Sequence, residues 1–487
     1  MTSPFDHVPI EVRETHSGVV ILCGDRAIKA KKPITTAFLD FGSVAKRDAA
    51  CVREIALNRR LAPDAYLGLG HLRSPDHPPE PLVVMRRMPE ETKLSRLLDD
   101  GRAGSAVIED LARRVARFHQ SAVRSAAIDT EGTPNALRRR WADNLDEILD
   151  LDVSAGDVEL VEHIQALAMQ YIDGRLILLT ERISAGRVID GHGDLSTEDI
   201  FCVEDGPQIL DCLDFDDRLR FVDGIDDAAF LAMDIEYHGH QGLARRFVRA
   251  YTHAAGDDAP STLVDHYIAY RALVRAKVEL IRVAQGVLSA HDSAHRHLRL
   301  AHEHLMRGRV RLGLIGGLPG TGKTTVATRL AEKVDAVLIS SDVVRRELLE
   351  AGVITGDRGG YGEGLYSEQN KAVVYGALLE RANMYLLVGR SVVLDASWTD
   401  ETERDFAIAL ANKTFSSPRV MRCAVDEATA NERISSRRGS VSDATPEIAQ
   451  AMARYACAEV WQGSSIIDTS ATVDESVEAA VAVWSRR

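Results

Sequence analysis

Only six cysteines are spread over the 487 residues, and no two of them form a C-x-x-C pair. Cys23, Cys51, Cys202, Cys212, Cys423 and Cys457 therefore suggest neither a zinc ribbon nor a disulfide framework, and suit a reducing compartment. No stretch approaches eighteen uninterrupted apolar residues, so no membrane span is expected. Residues 1–9 hold no apolar signal core and no basic region ahead of one. Nor is there an excess of basic charge: 59 Lys and Arg face 73 Asp and Glu, for a formal net charge of −14. Nucleic-acid phosphates would be repelled overall, which excludes extended contact with DNA or RNA but leaves room for a local basic pocket holding one nucleotide. The expectation is a cytoplasmic protein with no nucleic-acid and no membrane partner. Oligomeric state stays open.

What is present is sharper. Gly317-Leu318-Pro319-Gly320-Thr321-Gly322-Lys323-Thr324 fits G-x-x-x-x-G-K-[ST], with an apolar run before it and a helical pattern from Thr325 onward. Glycines at those places let successive backbone N–H groups turn inward around a phosphate, at the positive end of the following helix. Lys323 is expected to reach the β- and γ-phosphates, and the Thr324 hydroxyl to sit on Mg²⁺. With Thr325, these residues form the predicted ATP- or GTP-binding loop.

Apolar strands recur after the loop, at residues 336–339, 391–394, 420–424 and 465–467. With residues 312–315 they make five, the pattern of a doubly wound parallel sheet. Ligands of such sheets bind beyond the carboxyl ends of the strands, where the informative polar residues fall. Asp342 is placed to take the proton of an acceptor hydroxyl, and Arg345 to clamp an acceptor anion. Asp395 ends an apolar strand as a Mg²⁺ holder would. Arg433 and Arg437, four apart on one predicted helix face, would neutralise charge moving to the leaving oxygen. Together S-D-x-x-R, h-h-h-D-A-S and R-x-x-x-R resemble the small P-loop kinases, such as those acting on gluconate, chloramphenicol and polynucleotide 5′-hydroxyls.

In the N-terminal half, Asp190-Gly191-His192-Gly193-Asp194-Leu195 and Asp199-Ile200 are followed by Leu210-Asp211. Clustered carboxylates repel one another unless a cation sits among them. The functional reading gives Asp194 the substrate hydroxyl proton and puts Asp199 and Asp211 on Mg²⁺. H-G-D-L-x-x-x-[ND]-I followed by [IL]-D resembles the catalytic and metal-binding loops of the aminoglycoside phosphotransferase and choline kinase group, bilobal relatives of the protein kinases. The resemblance implies a strand lysine at Lys29, a helix glutamate at Glu54, and a linker at about residues 84–89 that puts Met85 against the nucleotide. It departs from the usual pattern at Asp199, where asparagine is commoner, at Ser196, and in lacking a G-x-G-x-x-G loop in the first hairpin. Further on, Asp214, Asp216, Asp217, Asp223, Asp226 and Asp227 read as helix caps and a solvated turn. The resemblance implies that Asp214 and Asp217 line the acceptor pocket, as would suit a cationic amino sugar. His291, His295, His297, His302 and His304 complete no H-E-x-x-H pattern and read as a solvated helix face.

The order of the halves resembles a bacterial two-domain fusion family, a phosphotransferase-like domain followed by a P-loop kinase domain. The predicted fold is α/β and α+β: a bilobal kinase-like domain over residues 1–307 (lobes about 1–88 and 89–307), then a P-loop domain over 308–487. The predicted activity is transfer of a γ-phosphoryl group to a small hydroxylated substrate, with two Mg²⁺-nucleotide sites. The alternative is a nucleotide-responsive regulator in which one half controls the other or a partner.

Overall fold

A continuous apolar run at residues 19–22, then a turn at Gly24 (φ +57°) and Asp25, produces the central hairpin of the first sheet. The computed structural model describes residues 10–14, 17–35, 40–75, 77–151, 154–357, 362–436, 450, 452, 461 and 463–486. The chain folds as two compact units: Met1–Val161, Leu179–Ala259 and Tyr267–His302 form one, and Glu162–Leu178, Pro260–His266 and Glu303–Arg487 the other.

The first unit opens with β1 (Ile10–Glu14), β2 (Gly18–Cys23), β3 (Arg26–Lys31), β4 (Tyr66–Ser74) and β5 (His77–Arg86). They pair antiparallel in the order β1-β2-β3-β5-β4. The helix Val44–Asn58 starts where the Ser43 side chain accepts from the Lys46 N–H, and buries Cys51 and Ile55 against Ala62, Val83 and Met88. Glu54 lies on that same buried face with 1 % exposure, so its charge has to be met from within. Lys29 sits mid-sheet on β3, in register with Val20 and Val83.

The rest of this unit is mostly helical, with four short strands: β6 (Val188–Asp190), β7 (Ile200–Val203), β8 (Gly206–Ile209) and β9 (Phe221–Asp223). The antiparallel pairs β6–β9 and β7–β8 bring the loops around residues 191–199 and 210–220 side by side. Beneath them lies the helix Gly224–Tyr237, almost wholly buried and capped by Asp223, whose side chain accepts from the Ile225 N–H. Asp226 and Asp227 are buried there too, which corrects the reading of a solvated turn: each is taken up by a specific donor set. The solvated-face reading of the histidines needs correction as well. His297 is buried and stacked on Tyr237, and His304 is buried with Nδ1 2.8 Å from Asp265.

In the second unit β10 (Arg311–Gly316), β11 (Val337–Ser340), β12 (Val392–Asp395), β13 (Ser417–Ala424) and β14 (Ser465–Asp468) run parallel in the order β11-β12-β10-β13-β14. β10 and β12 are buried along their whole length, as strands covered on both faces must be. Ile315, Val326, Leu330, Val393, Met421, Ile467 and Trp484 form one core, and each large side chain so buried contributes about 1.5–3 kcal/mol. The carboxyl ends of β10, β11 and β12 converge on the glycine-rich loop. Arg175, in the early segment of this unit, is buried without a carboxylate. Its Nη1 donates to the carbonyls of Gly174 (2.6 Å), Leu386 (2.6 Å) and Thr414 (3.1 Å), its Nη2 to Ser416 Oγ (3.2 Å), and burial pulls its pKa down to about 10.

Candidate active sites

β10 delivers the chain into the loop, and the helix Lys323–Lys333 leaves it with Gly322 as its left-handed cap. Gly320 has φ +83°, and a Cβ there would stand 2.5 Å from the Ala430 carbonyl oxygen. Thr469 Oγ1 donates to the Thr321 carbonyl (2.8 Å), and Arg433 Nη2 donates to the Thr469 carbonyl (2.8 Å). Arg433 is thus carried by the helix Glu427–Ser436 to the rim of the loop. Gly320→Ala is expected to weaken nucleoside triphosphate binding at least tenfold by calorimetry, since the loop must open to admit the methyl group. Gly376→Ala, where nothing lies within 4 Å of the added carbon, is expected to leave binding unchanged.

Asp395 ends β12 with 3 % exposure. Its Oδ2 accepts from Ser340 Oγ at 3.2 Å, while Oδ1 is buried with no hydrogen-bond partner among the described residues. Burial raises its pKa, and the Lys323 ammonium and Thr324 hydroxyl oppose that shift. An open buried carboxylate oxygen beside a hydroxyl fits Mg²⁺, which takes hard oxygen ligands and keeps much of its water. Lys323 and Asp342 line one cavity of about 110 Å³ with Arg345, Tyr366, Lys371, Tyr375, Ser397 and Thr399. Within it Arg345 Nη1 donates to Asp342 Oδ1 (2.7 Å), and its guanidinium lies 4.6 Å over the Tyr366 ring.

In the first unit, Lys29 Nζ stands 2.9 Å from Glu54 Oε1 and 3.2 Å from Asp211 Oδ1. Lys31 takes the other side of Glu54 (2.8 Å) and reaches Asp214 (3.0 Å). Asp211 has φ +58°, is bonded through its N–H to the Tyr66 hydroxyl (3.3 Å), and is kept ionised by Lys29. Asp199 is pushed up by burial and by Asp211 and Asp194, while Ser196 Oγ donates to its Oδ2 (2.6 Å). Asp194 is pushed up to about 6, mainly by burial.

The loop carrying Asp194 is held from beneath. Asp227 accepts from the backbone N–H groups of His192 (2.7 Å) and Gly193 (2.9 Å), and lies 2.9 Å from His119 Nε2. Burial drives His192 down to about 4, so it is neutral. Its Nε2–H donates to the Leu210 carbonyl (3.1 Å) and its Nδ1 accepts from the Asp194 N–H (3.3 Å). Arg60 fastens the approach by donating to the carbonyls of Asp190 (3.0 Å) and Gly191 (2.8 Å). Among the described residues no three His, Cys, Asp or Glu side chains are gathered as a ready metal site. Asp199 and Asp211 would make a two-carboxylate Mg²⁺ site, of the kind that substrate phosphates complete.

A family model described as "AAA domain" matches residues 312–458, a span that includes the whole glycine-rich loop. An uncharacterized protein of Mycobacterium tuberculosis is 45 % identical over 480 residues, covering 98 % of this chain and 95 % of its own length. The chain belongs to that protein's family. Among solved structures, the GDP and kanamycin complex of APH(2″)-IIIa covers 62 % of this chain and 95 % of its own, at 18 % identity and a TM-score of 0.41. A gluconokinase from Sinorhizobium meliloti covers 36 % and 91 %, at 18 % identity and 0.27. In this chain a unit built on an antiparallel five-stranded sheet is joined to one built on a parallel five-stranded sheet, and the matched span 312–458 lies in the second.

In this member the structure brings Gly317, Gly320, Gly322, Lys323, Thr324, Asp342, Arg345, Asp395 and Arg433 to one end of the parallel sheet. Lys29 meets Glu54 and Asp211, and Asp199 and Asp211 bear on Asp194. Met85 is half-buried on β5 opposite Ala27, within the strand rather than in a linker. Arg437 lies outside the described residues. Of the two residues expected to line an acceptor pocket, Asp214 is bound by Lys31, and Asp217 by Arg53 and Arg220. Sequence reasoning missed Lys31, Arg60, Asp227, Tyr366 and Lys371. Only Asp227 left a signal, an acid directly before an apolar helical run. No described helix is long and apolar enough to cross a membrane.

Proposed function

We propose that the protein transfers the γ-phosphoryl group of ATP or GTP to hydroxyl groups of small molecules, at the P-loop site and at a second site around Asp194. One observation carries the reading: Lys323 and Asp342 line a single cavity, and both, with Thr324, act on Asp395, whose Oδ1 is without a hydrogen-bond partner among the described residues. In it Lys323 and the loop N–H groups hold the phosphates. Asp342 receives the hydroxyl proton once Arg345 lets go of its carboxylate, and Arg433 meets charge on the leaving oxygen. Thr324 and Asp395 would hold Mg²⁺, which when bound offsets phosphate charge. At the other site Lys29, fixed by Glu54, orients phosphates and Asp194 receives the proton.

The test is incubation of the pure protein with labelled ATP or GTP and a metabolite extract, beside Lys323→Ala and Asp194→Ala. A labelled small molecule lost in one variant assigns that site. A second reading draws support from the crowding of Asp199 against Asp211 and Asp194: the N-terminal half binds nucleotide and regulates. Binding without acceptor-dependent turnover would favour it.

The Asp194 carboxyl is raised above its usual value, so its basic form accumulates only as pH climbs through about 6. Log kcat/KM for Asp194-dependent transfer is expected to rise with unit slope below that value and to level above pH 7. Asp194→Asn is expected to lower transfer about 10²- to 10⁴-fold, the usual weight of a general base.

A further inference from the structure

The carboxylates expected to greet a cationic acceptor are already paired, Asp214 with Lys31 at 3.0 Å and Asp217 with Arg53 and Arg220. Beside Asp194, among the carboxylates, two arginines also bear on it. Arg271 and Arg275 stand four apart on the helix Ser261–Ala284, hence on one face. Arg271 is anchored. Its Nε donates to Asp226 Oδ1 (2.6 Å) and its Nη1 to the carbonyl of Gly193 (3.2 Å), the residue before Asp194. Its Nη2 is buried with no hydrogen-bond partner among the described residues.

Arg275, one turn on, is half-buried and makes no hydrogen bond or ion pair with any described residue. It is the charge that does most to favour the ionised form of Asp194, and it also acts on His297. Tyr237 stacks on His297 at 3.9 Å, and the Arg296 guanidinium lies 4.5 Å over the same Tyr237 ring. The acid that also bears on Asp194 here, Asp234, has Oδ2 occupied by the N–H (2.7 Å) and hydroxyl (2.6 Å) of Thr197. Arg275 feels the Asp194 carboxylate without bonding to it, so its planar fork is open to a carboxylate or phosphate.

We propose that Arg275, backed by Arg271 and flanked by Arg296, is the acceptor-binding cation of the N-terminal site, and that its acceptor is a hydroxylated small molecule bearing a carboxylate or phosphate rather than an amino sugar. This rests on Asp194 being the proton acceptor of a phosphotransferase. The acceptor hydroxyl oxygen bonds to the γ-phosphorus, the bond to the β,γ-bridging oxygen breaks, the proton passes to Asp194, and a nucleoside diphosphate leaves.

The experiment uses the full chain carrying Lys323→Ala, which silences the P-loop site. A metabolite extract is divided on ion-exchange resins into anionic, neutral and cationic fractions, and each is incubated with labelled ATP or GTP. The expected result is a labelled product from the anionic fraction that is lost in Asp194→Asn. Prior phosphatase treatment of that fraction tells phosphate from carboxylate acceptors. With the purified acceptor, Arg275→Gln is expected to raise acceptor KM at least about tenfold, with nucleotide KM unchanged, as loss of a charge-assisted pair requires. Arg275→Lys, which keeps the charge, restores part of it and serves should the glutamine variant not fold. An Asp194-dependent product from the neutral or cationic fraction overturns the inference, as does one indifferent to Arg275. No Asp194-dependent product from any fraction overturns the phosphotransferase reading of this site and the inference with it.

Discussion

Lys323→Ala is expected to remove one nucleotide-binding site from the protein, so that ATP or GTP titrated calorimetrically at physiological magnesium loses one equivalent. Lys323 is the first residue of its helix and lines the cavity with Asp342, while its field reaches Asp395. An ammonium there would meet two phosphate groups through charge-assisted hydrogen bonds worth about 1.5–3 kcal/mol each, so affinity should fall about 10²- to 10⁴-fold. Turnover at the site should fall further, by about 10²- to 10³-fold, because the charge it meets grows as the phosphoryl group moves. Lys333→Ala, at the exposed far end of the same helix where the partner is Glu478, is the control expected to change neither quantity. Full nucleotide stoichiometry in Lys323→Ala would remove the P-loop assignment.

Asp227→Ala is expected to cost about 3–5 kcal/mol of stability in the first unit, the usual loss when one member of a buried charged network is deleted. The carboxylate has 0 % exposure, and its removal strands the N–H groups of His192 and Gly193 together with the His119 ring. Asp194-dependent transfer should disappear with the loop geometry, while nucleotide uptake at Lys323 should persist. Asp227→Asn keeps one acceptor oxygen and should lose less. These donors hold Asp227 far below the usual carboxylate range despite its burial. Its contribution is therefore complete above its unfolded pKa, near 4, and is lost as pH falls toward the depressed folded value. The gap in melting temperature between wild type and Asp227→Ala should narrow on acidification; a constant gap from pH 7 to pH 3 would contradict this account.

The parts legible in the sequence were those whose chemistry is contiguous. The phosphate loop needs only its own glycines, the strand before it and the helix after it, so eight neighbouring residues carry the whole message. His192 to Asp194 and Asp211 were readable for the same reason. What was not readable depends on where the chain returns. Lys29 and Asp211 meet across 182 positions, and Lys31 and Asp214 across 183. Nothing local to Asp214 says that Lys31 will pair with it, nor to Asp217 that Arg53 will; of their partners only Arg220, three residues on, is near in sequence. His297 and His304 looked solvated because helical spacing cannot show that Tyr237 and Asp265 will cover them.

The Arg175 socket bears on how the protein can be made. Its guanidinium, from a segment synthesised early, satisfies carbonyls of Leu386 and Thr414 that leave the ribosome more than two hundred residues later. The P-loop unit is therefore expected to lose stability when expressed from residue 308 onward. Such a truncation would lack Glu162–Leu178 and Pro260–His266 and leave those carbonyls without their donor. During translation the Arg175 guanidinium stays in water until the last third of the chain supplies the carbonyls that replace its hydration.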